Sequence, residues 1–103
     1  MRFRNTTRSG GRFSSSTIQA VWNKAPIAFG YDSSQWRRDK CGALIMRSAY
    51  GNTSSSYGWE IDHDRPVSKG GSDDLYNLQA LQWENNRHKA DNYPIWSCKY
   101  KAA

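Results

Sequence analysis

Apolar positions along this 103-residue chain follow two periods. Between Ser16 and Lys24, Ile18, Val21 and Trp22 recur at helical spacing, with Ser16 or Thr17 available as a cap and Pro26 as a stop, which predicts a short helix. In Tyr57 to His63 (YGWEIDH) the period is two: Trp59 and Ile61 face one way, Glu60 and Asp62 the other, as in a strand. A second apolar run, Ala43 to Tyr50 (ALIMRSAY), is separated from it by the turn-forming GNTSSS, so the two read as arms of a hairpin. LYNLQAL reads as a short return strand and WENNRHKAD as a polar helix, with Gly70-Gly71 marking a tight loop between strand and strand. Residues 29 to 40 read as an irregular, aromatic-bearing connection, and residues 1 to 16, rich in Arg, Gly and Ser, as a flexible basic arm. The predicted order is strand, strand, ordered loop, helix: an α+β domain over residues 41–103, preceded by a helical and irregular extension over 17–40 and the arm over 1–16.

Composition narrows this picture. The length suits one small domain. Leu, Ile, Val and Phe together number only fourteen, so the core leans on the five Trp and six Tyr, each of which buries more area than an aliphatic side chain. All of the formal +6 charge comes from residues 1 to 40, where eight Lys or Arg oppose Asp32 and Asp39; residues 41 to 103 carry seven of each sign. Such asymmetry suits a face that meets a polyanion, most naturally nucleic acid. No run is long or apolar enough to cross a membrane. Cys41 and Cys98, too few for a four-thiolate zinc site and in no CxxC, leave a bridge between them open but read first as two reduced thiols in an intracellular, cytoplasmic protein.

Within this basic chain, WEIDHDRPVSKGG sets Asp62 and Asp64 around His63, one of two histidines. Bare carboxylates would repel a phosphate backbone, whereas carboxylates that hold a cation would recruit it. Magnesium takes oxygen ligands and keeps several waters, so Asp62 with one amide oxygen from the later helix, Asn86 or Asn85, is a sufficient protein contribution. His63 stands beside it, and an imidazole is the side chain suited to accept a proton from water at physiological pH. Cation and base together are a set able to hydrolyse a phosphodiester.

The stretch WEIDHDRPVSKGGSDDLYNLQALQWENNRHKAD, with its DH-x-x-P-x-SKGG-x-x-D-x-x-N core, resembles the HNH endonuclease family over about residues 41 to 91. The resemblance implies a ββα-metal finger, of which residues 57–91 would be the core. It implies His63 as general base, Asp62 as metal ligand, Asn77 as the residue that braces the loop and orients the base, and Asn86 at the third position. That position is often His, and His88 is nearby, but residues 86 and 88 lie about 200° apart on a helix and cannot share one face. The chain thus resembles the His-Asn-Asn variant. Many relatives also carry two CxxC pairs; the second would fall on Gln82 and Asn85, and Cys41 keeps half of the first, so structural zinc is not expected, and packing of Trp59, Trp83 and Trp96 is expected to stabilise the finger instead. The implied cofactor is Mg²⁺, Mn²⁺ or another divalent cation, and the implied partner is DNA, bound by a monomer or homodimer, with Arg65, Lys69, Arg87, Lys89, Arg37 and Arg38 as candidate phosphate contacts. A binding module with a degenerate finger and a nuclease directed at RNA are the competing readings.

Overall fold

The structure, a computed structural model, describes residues 3–101; Arg2 of the expected basic arm lies outside them. Helix α1 spans Ser15–Lys24 and is capped by Ser14, whose side chain accepts a hydrogen bond from the Thr17 amide at 3.2 Å, slightly ahead of the expected cap. It ends where Ala25 turns extended before Pro26. Strands β1 (Trp36–Arg38) and β2 (Leu44–Met46) form one antiparallel pair; β3 (Trp59–His63) and β4 (Leu78–Gln82) form a second, followed at once by α2 (Trp83–Lys89).

The strands pair differently from the expected hairpin. The 43–50 run supplies β2, whose partner is β1 inside the segment expected to be irregular. The 57–63 run supplies β3, whose partner is the return strand, in a register that sets Ile61 opposite Ala80 and His63 opposite Leu78. The two runs form no ladder with each other; their backbones meet through a bridge between Tyr50 and Trp59 and a Met46 N–H donated to the Tyr57 carbonyl at 3.1 Å. The reason is burial. All five residues of β3 are buried, and a strand covered on both faces needs a partner that is also apolar along its length, which Leu78, Ala80 and Leu81 provide.

The β3–β4 pair is the middle layer of the domain. On one face, Trp59 and Ile61 pack with Val21 and Trp22 of α1, Phe13, Ile45, Leu78 and Ala80. The rings of Trp22 and Trp59 lie 5.2 Å apart and both are fully sealed from solvent, each removing area worth about 4–6 kcal/mol. Lys24 fastens α1 to the sheet, its ammonium donating to the Leu78 carbonyl at 2.6 Å. On the other face lies α2, over Glu60 and Asp62.

Cys41 and Cys98 are joined in a disulfide, which corrects the expectation of two reduced thiols. Sequence separation of 57 residues hid the pairing; the fold brings the β1–β2 turn and the C-terminal tail together around Asp39. The buried Asp39 carboxylate accepts from the amides of Cys41, Ala43 and Gln82 and from the Asn85 side chain, at 2.8–3.0 Å. Asn85 in turn accepts from the amides of Lys99 and Tyr100 and so holds the tail. Gln82 and Asn85, the positions of the missing CxxC pair, therefore belong to a hydrogen-bonded knot beside the disulfide. Of the tryptophans expected to stabilise the finger, Trp59 is in the core, while Trp83 and Trp96 stack against Arg87 and Lys89.

Candidate active site

The end of β3, the loop after it and the C-terminal half of α2 converge on a cleft of about 610 Å³. Asp62, His63 and Asn86 all line it. The loop is fixed by glycines and by Asn77. Gly70 adopts φ 86°, and a Cβ on Gly71 would fall 1.7 Å from the Arg65 carbonyl oxygen, so only glycine permits that approach. The buried side chain of Asn77 spans the loop: its oxygen accepts from the Arg65 amide at 2.9 Å, and its nitrogen donates to the carbonyls of Arg65 and Ser72 at 3.1 and 2.9 Å. Asn77 thereby ties the chain immediately after His63 to the chain immediately before β4.

His63 is held from its far side. Its Nε2 lies 2.7 Å from Oδ1 of Asp73. An ionised carboxylate only accepts, so Nε2 carries the proton and Nδ1 of a neutral ring is left basic. The Phe13 ring packs 6.0 Å from the imidazole and helps to keep it almost fully covered. Asp73 is the feature that sequence reasoning missed. Its signal was weak: one of two adjacent aspartates in a loop, with nothing in a linear pattern to point it at a histidine ten positions earlier.

Asp62 sits on the α2 side. Burial raises its carboxyl above the usual range, opposed by the Lys89 ammonium and by the Gln79 amide. Both partners contact the same oxygen, Oδ2, Lys89 at 3.2 Å and Gln79 at 2.9 Å. Asn86, one turn into α2, donates from Nδ2 to Glu60 at 3.0 Å. Among the described residues no hydrogen bond engages Oδ1 of either Asp62 or Asn86, and neither oxygen is sealed from solvent. Asp62 and Asn86 both line the cleft and each keeps one oxygen without a hydrogen bond, a donor set that fits a divalent cation such as Mg²⁺ or Mn²⁺, which takes few protein ligands. No group of three or more His, Cys, Asp or Glu among the described residues is arranged to hold a metal. His88 lies off the cleft, its Nε2 3.1 Å from the Ser97 hydroxyl.

The basic residues expected to contact phosphate are placed differently, and none of the six lines the cleft. Lys89 is fully buried, donating to the His63 carbonyl at 3.2 Å as well as pairing with Asp62, so its ammonium serves the site from beneath and does not face solvent. The Arg37 guanidinium is held by the carbonyls of Ser33, Asn23 and Ala25, and Arg38 by that of Gly42. Arg65 donates to the Lys69 carbonyl at 2.7 Å, and Arg87 lies over Trp83; Arg65, Lys69 and Arg87 are exposed around the motif.

The family profile described as HNH endonuclease matches residues 40–92, about half the chain and all of the elements that build the cleft apart from its N-terminal wall. The chain belongs to the HNH endonuclease family. No curated protein and no solved structure matches it. The α+β arrangement of β3, β4 and α2 is consistent with the ββα-metal finger of HNH enzymes, with the β1–β2 pair and α1 packed around it.

Proposed function

We propose that this HNH protein is a metal-dependent endonuclease that hydrolyses DNA phosphodiester bonds, one strand per encounter. The observation that carries the proposal is the cleft shared by His63, Asp62 and Asn86, with His63 fixed in one tautomer by Asp73. Asp62 and Asn86 would hold the cation through their open oxygens, while Gln79, Lys89 and Glu60 keep the two side chains turned toward it. When bound, such a cation supplies positive charge to the scissile phosphate and the leaving oxygen.

The proton chemistry falls to His63. A water oxygen attacks phosphorus as its proton passes to Nδ1; the bond from phosphorus to the 3′ oxygen breaks, that oxygen takes a proton from solvent, and a 5′ phosphate and a 3′ hydroxyl result. Positive charge then develops on the ring beside the Asp73 carboxylate, which stabilises it. Asn77 acts at a distance, by fixing the loop whose backbone carries His63. With one such centre per chain, a monomer nicks, and a double-strand break takes two encounters or a dimer.

Supercoiled plasmid incubated with Mg²⁺ and the protein is expected to become nicked circle, and His63→Ala to abolish this. Equal nicking by wild type and His63→Ala would leave DNA binding without catalysis as the better reading. Faster cutting of a structured RNA than of plasmid would redirect the substrate to RNA.

A further inference from the structure

The N-terminal wall of the cleft comes from residues 3–6, far outside the residues that the family profile covers. Expected as a flexible arm, this segment is pinned at two points. The Asn5 side-chain oxygen accepts from the Ile61 amide at 2.8 Å and from the Tyr50 hydroxyl at 2.9 Å, and so occupies the edge of β3 that faces away from β4. Asn5 adopts φ 58°, a left-handed conformation that Asn tolerates better than most residues, which turns the chain at this anchor. Three residues on, the Arg8 amide donates to both oxygens of Asp73, at 2.9 and 3.1 Å, and its guanidinium to the Gly71 carbonyl at 3.2 Å. The second anchor therefore grips the same carboxylate that holds His63.

Immediately before the first anchor, Arg4 lines the cleft. It is exposed, and it forms no ion pair or hydrogen bond among the described residues. The cleft is lined by two carboxylates, Asp62 and Asp91, and Arg4 supplies the cationic side chain among the described residues lining it. A phosphate diester entering an acid-lined cleft needs positive charge beyond that of a metal ion, and a guanidinium offers it as a planar fork suited to two phosphate oxygens.

We propose that Arg4 binds a backbone phosphate of the nucleic acid in the cleft, so that the N-terminal segment completes the active site. This rests on the nuclease reading above for its substrate, and its test separates the two. Arg4→Ala, Arg4→Lys and Arg12→Ala are compared with wild type, Arg12 being an exposed charge of the same segment that does not line the cleft. Binding of a short DNA duplex is followed by fluorescence anisotropy in EDTA over a range of salt, and plasmid nicking is followed in Mg²⁺.

Arg4→Ala is expected to weaken binding about tenfold and to flatten the dependence of log affinity on log salt by about 0.9, the value of one lost phosphate contact. Arg4→Lys is expected to keep the slope while losing part of the affinity, and Arg12→Ala to retain most of the affinity and nicking rate. An unchanged slope and rate in Arg4→Ala, an equal effect of Arg12→Ala, or faster nicking once Arg4 is removed would each overturn the proposal. A salt slope that depends on Arg4 in a protein that does not nick would uphold the phosphate contact and sink the nuclease reading instead.

Discussion

Asp73→Asn tests the contact that fixes His63. The substitution keeps shape, and the Asn oxygen can still accept from the Arg8 amide, so the loop should retain its path. What it removes is the charge 2.7 Å from Nε2 that favours the imidazolium formed as water gives up its proton. A hydrogen bond to a charged group contributes about 1.5–3 kcal/mol, but the Asp73 side chain is 42 % exposed, so solvent screening takes part of it. A loss of about 1–2 kcal/mol in the transition state lowers kcat by roughly 5- to 30-fold. Because Asp73 does not itself line the cleft and reaches it only through His63, KM for DNA should change little. The assay is steady-state nicking with kcat and KM separated, beside a thermal melt of both proteins. An unchanged kcat in a folded variant would refute the orientation argument; a fall in kcat matched by a large fall in Tm would assign Asp73 to the scaffold alone.

Two other expectations concern stability. Replacing Cys41 and Cys98 by Ser releases a cross-link over 57 residues, for which loop closure gives a loss of about 4 kcal/mol, read as a lower midpoint in urea with the Asp39 knot otherwise intact; no shift in midpoint would mean that the bridge does not form in solution. Tyr50, partly buried against the core and bonded to Asn5, has its phenol pushed above the ordinary value of 10.0 by burial, so the folded state holds the proton more tightly than the unfolded state does. Its contribution is therefore fully present below about pH 10 and is lost as the pH rises from there through the folded value, and Tyr50→Phe should flatten that alkaline decline in Tm while costing about 1 kcal/mol at neutral pH for the lost Asn5 bond. An equally steep decline in Tyr50→Phe would assign the alkaline limb to another group.

What could be read from the sequence was what local periods and fixed spacings carry. Period two in WEIDH separates Trp59 and Ile61 from Glu60 and Asp62, and the structure keeps that division, with α1 on one side and α2 on the other. The helix over residues 15–24 and the strand at 78–82 also follow from local pattern. The β1–β2 pair did not, because a strand of Trp-Arg-Arg has no alternation to detect. The disulfide, the Asp73 contact and the docked N-terminal segment join residues 57, 10 and more than 50 positions apart, and a linear pattern has no term for such distances.

Lys89 is a different case, since the geometry needed to place it was already in use. Helical rotation of about 100° per residue removes His88 from the face of Asn86, two positions on. The same rotation carries residue 89 through about 300°, which returns it to within about 60° of Asn86. A lysine on that face of α2, packed on a strand that presents Asp62, is directed at the carboxylate and not at solvent, and that is where its ammonium lies. An isolated lysine buried without a partner would be costly, and so would an isolated Asp62; together they leave one carboxylate oxygen satisfied and one open. The buried lysine thus bears on the site: its ammonium offsets part of the burial that raises the Asp62 carboxyl, and it engages Oδ2, leaving Oδ1 without a hydrogen bond among the described residues.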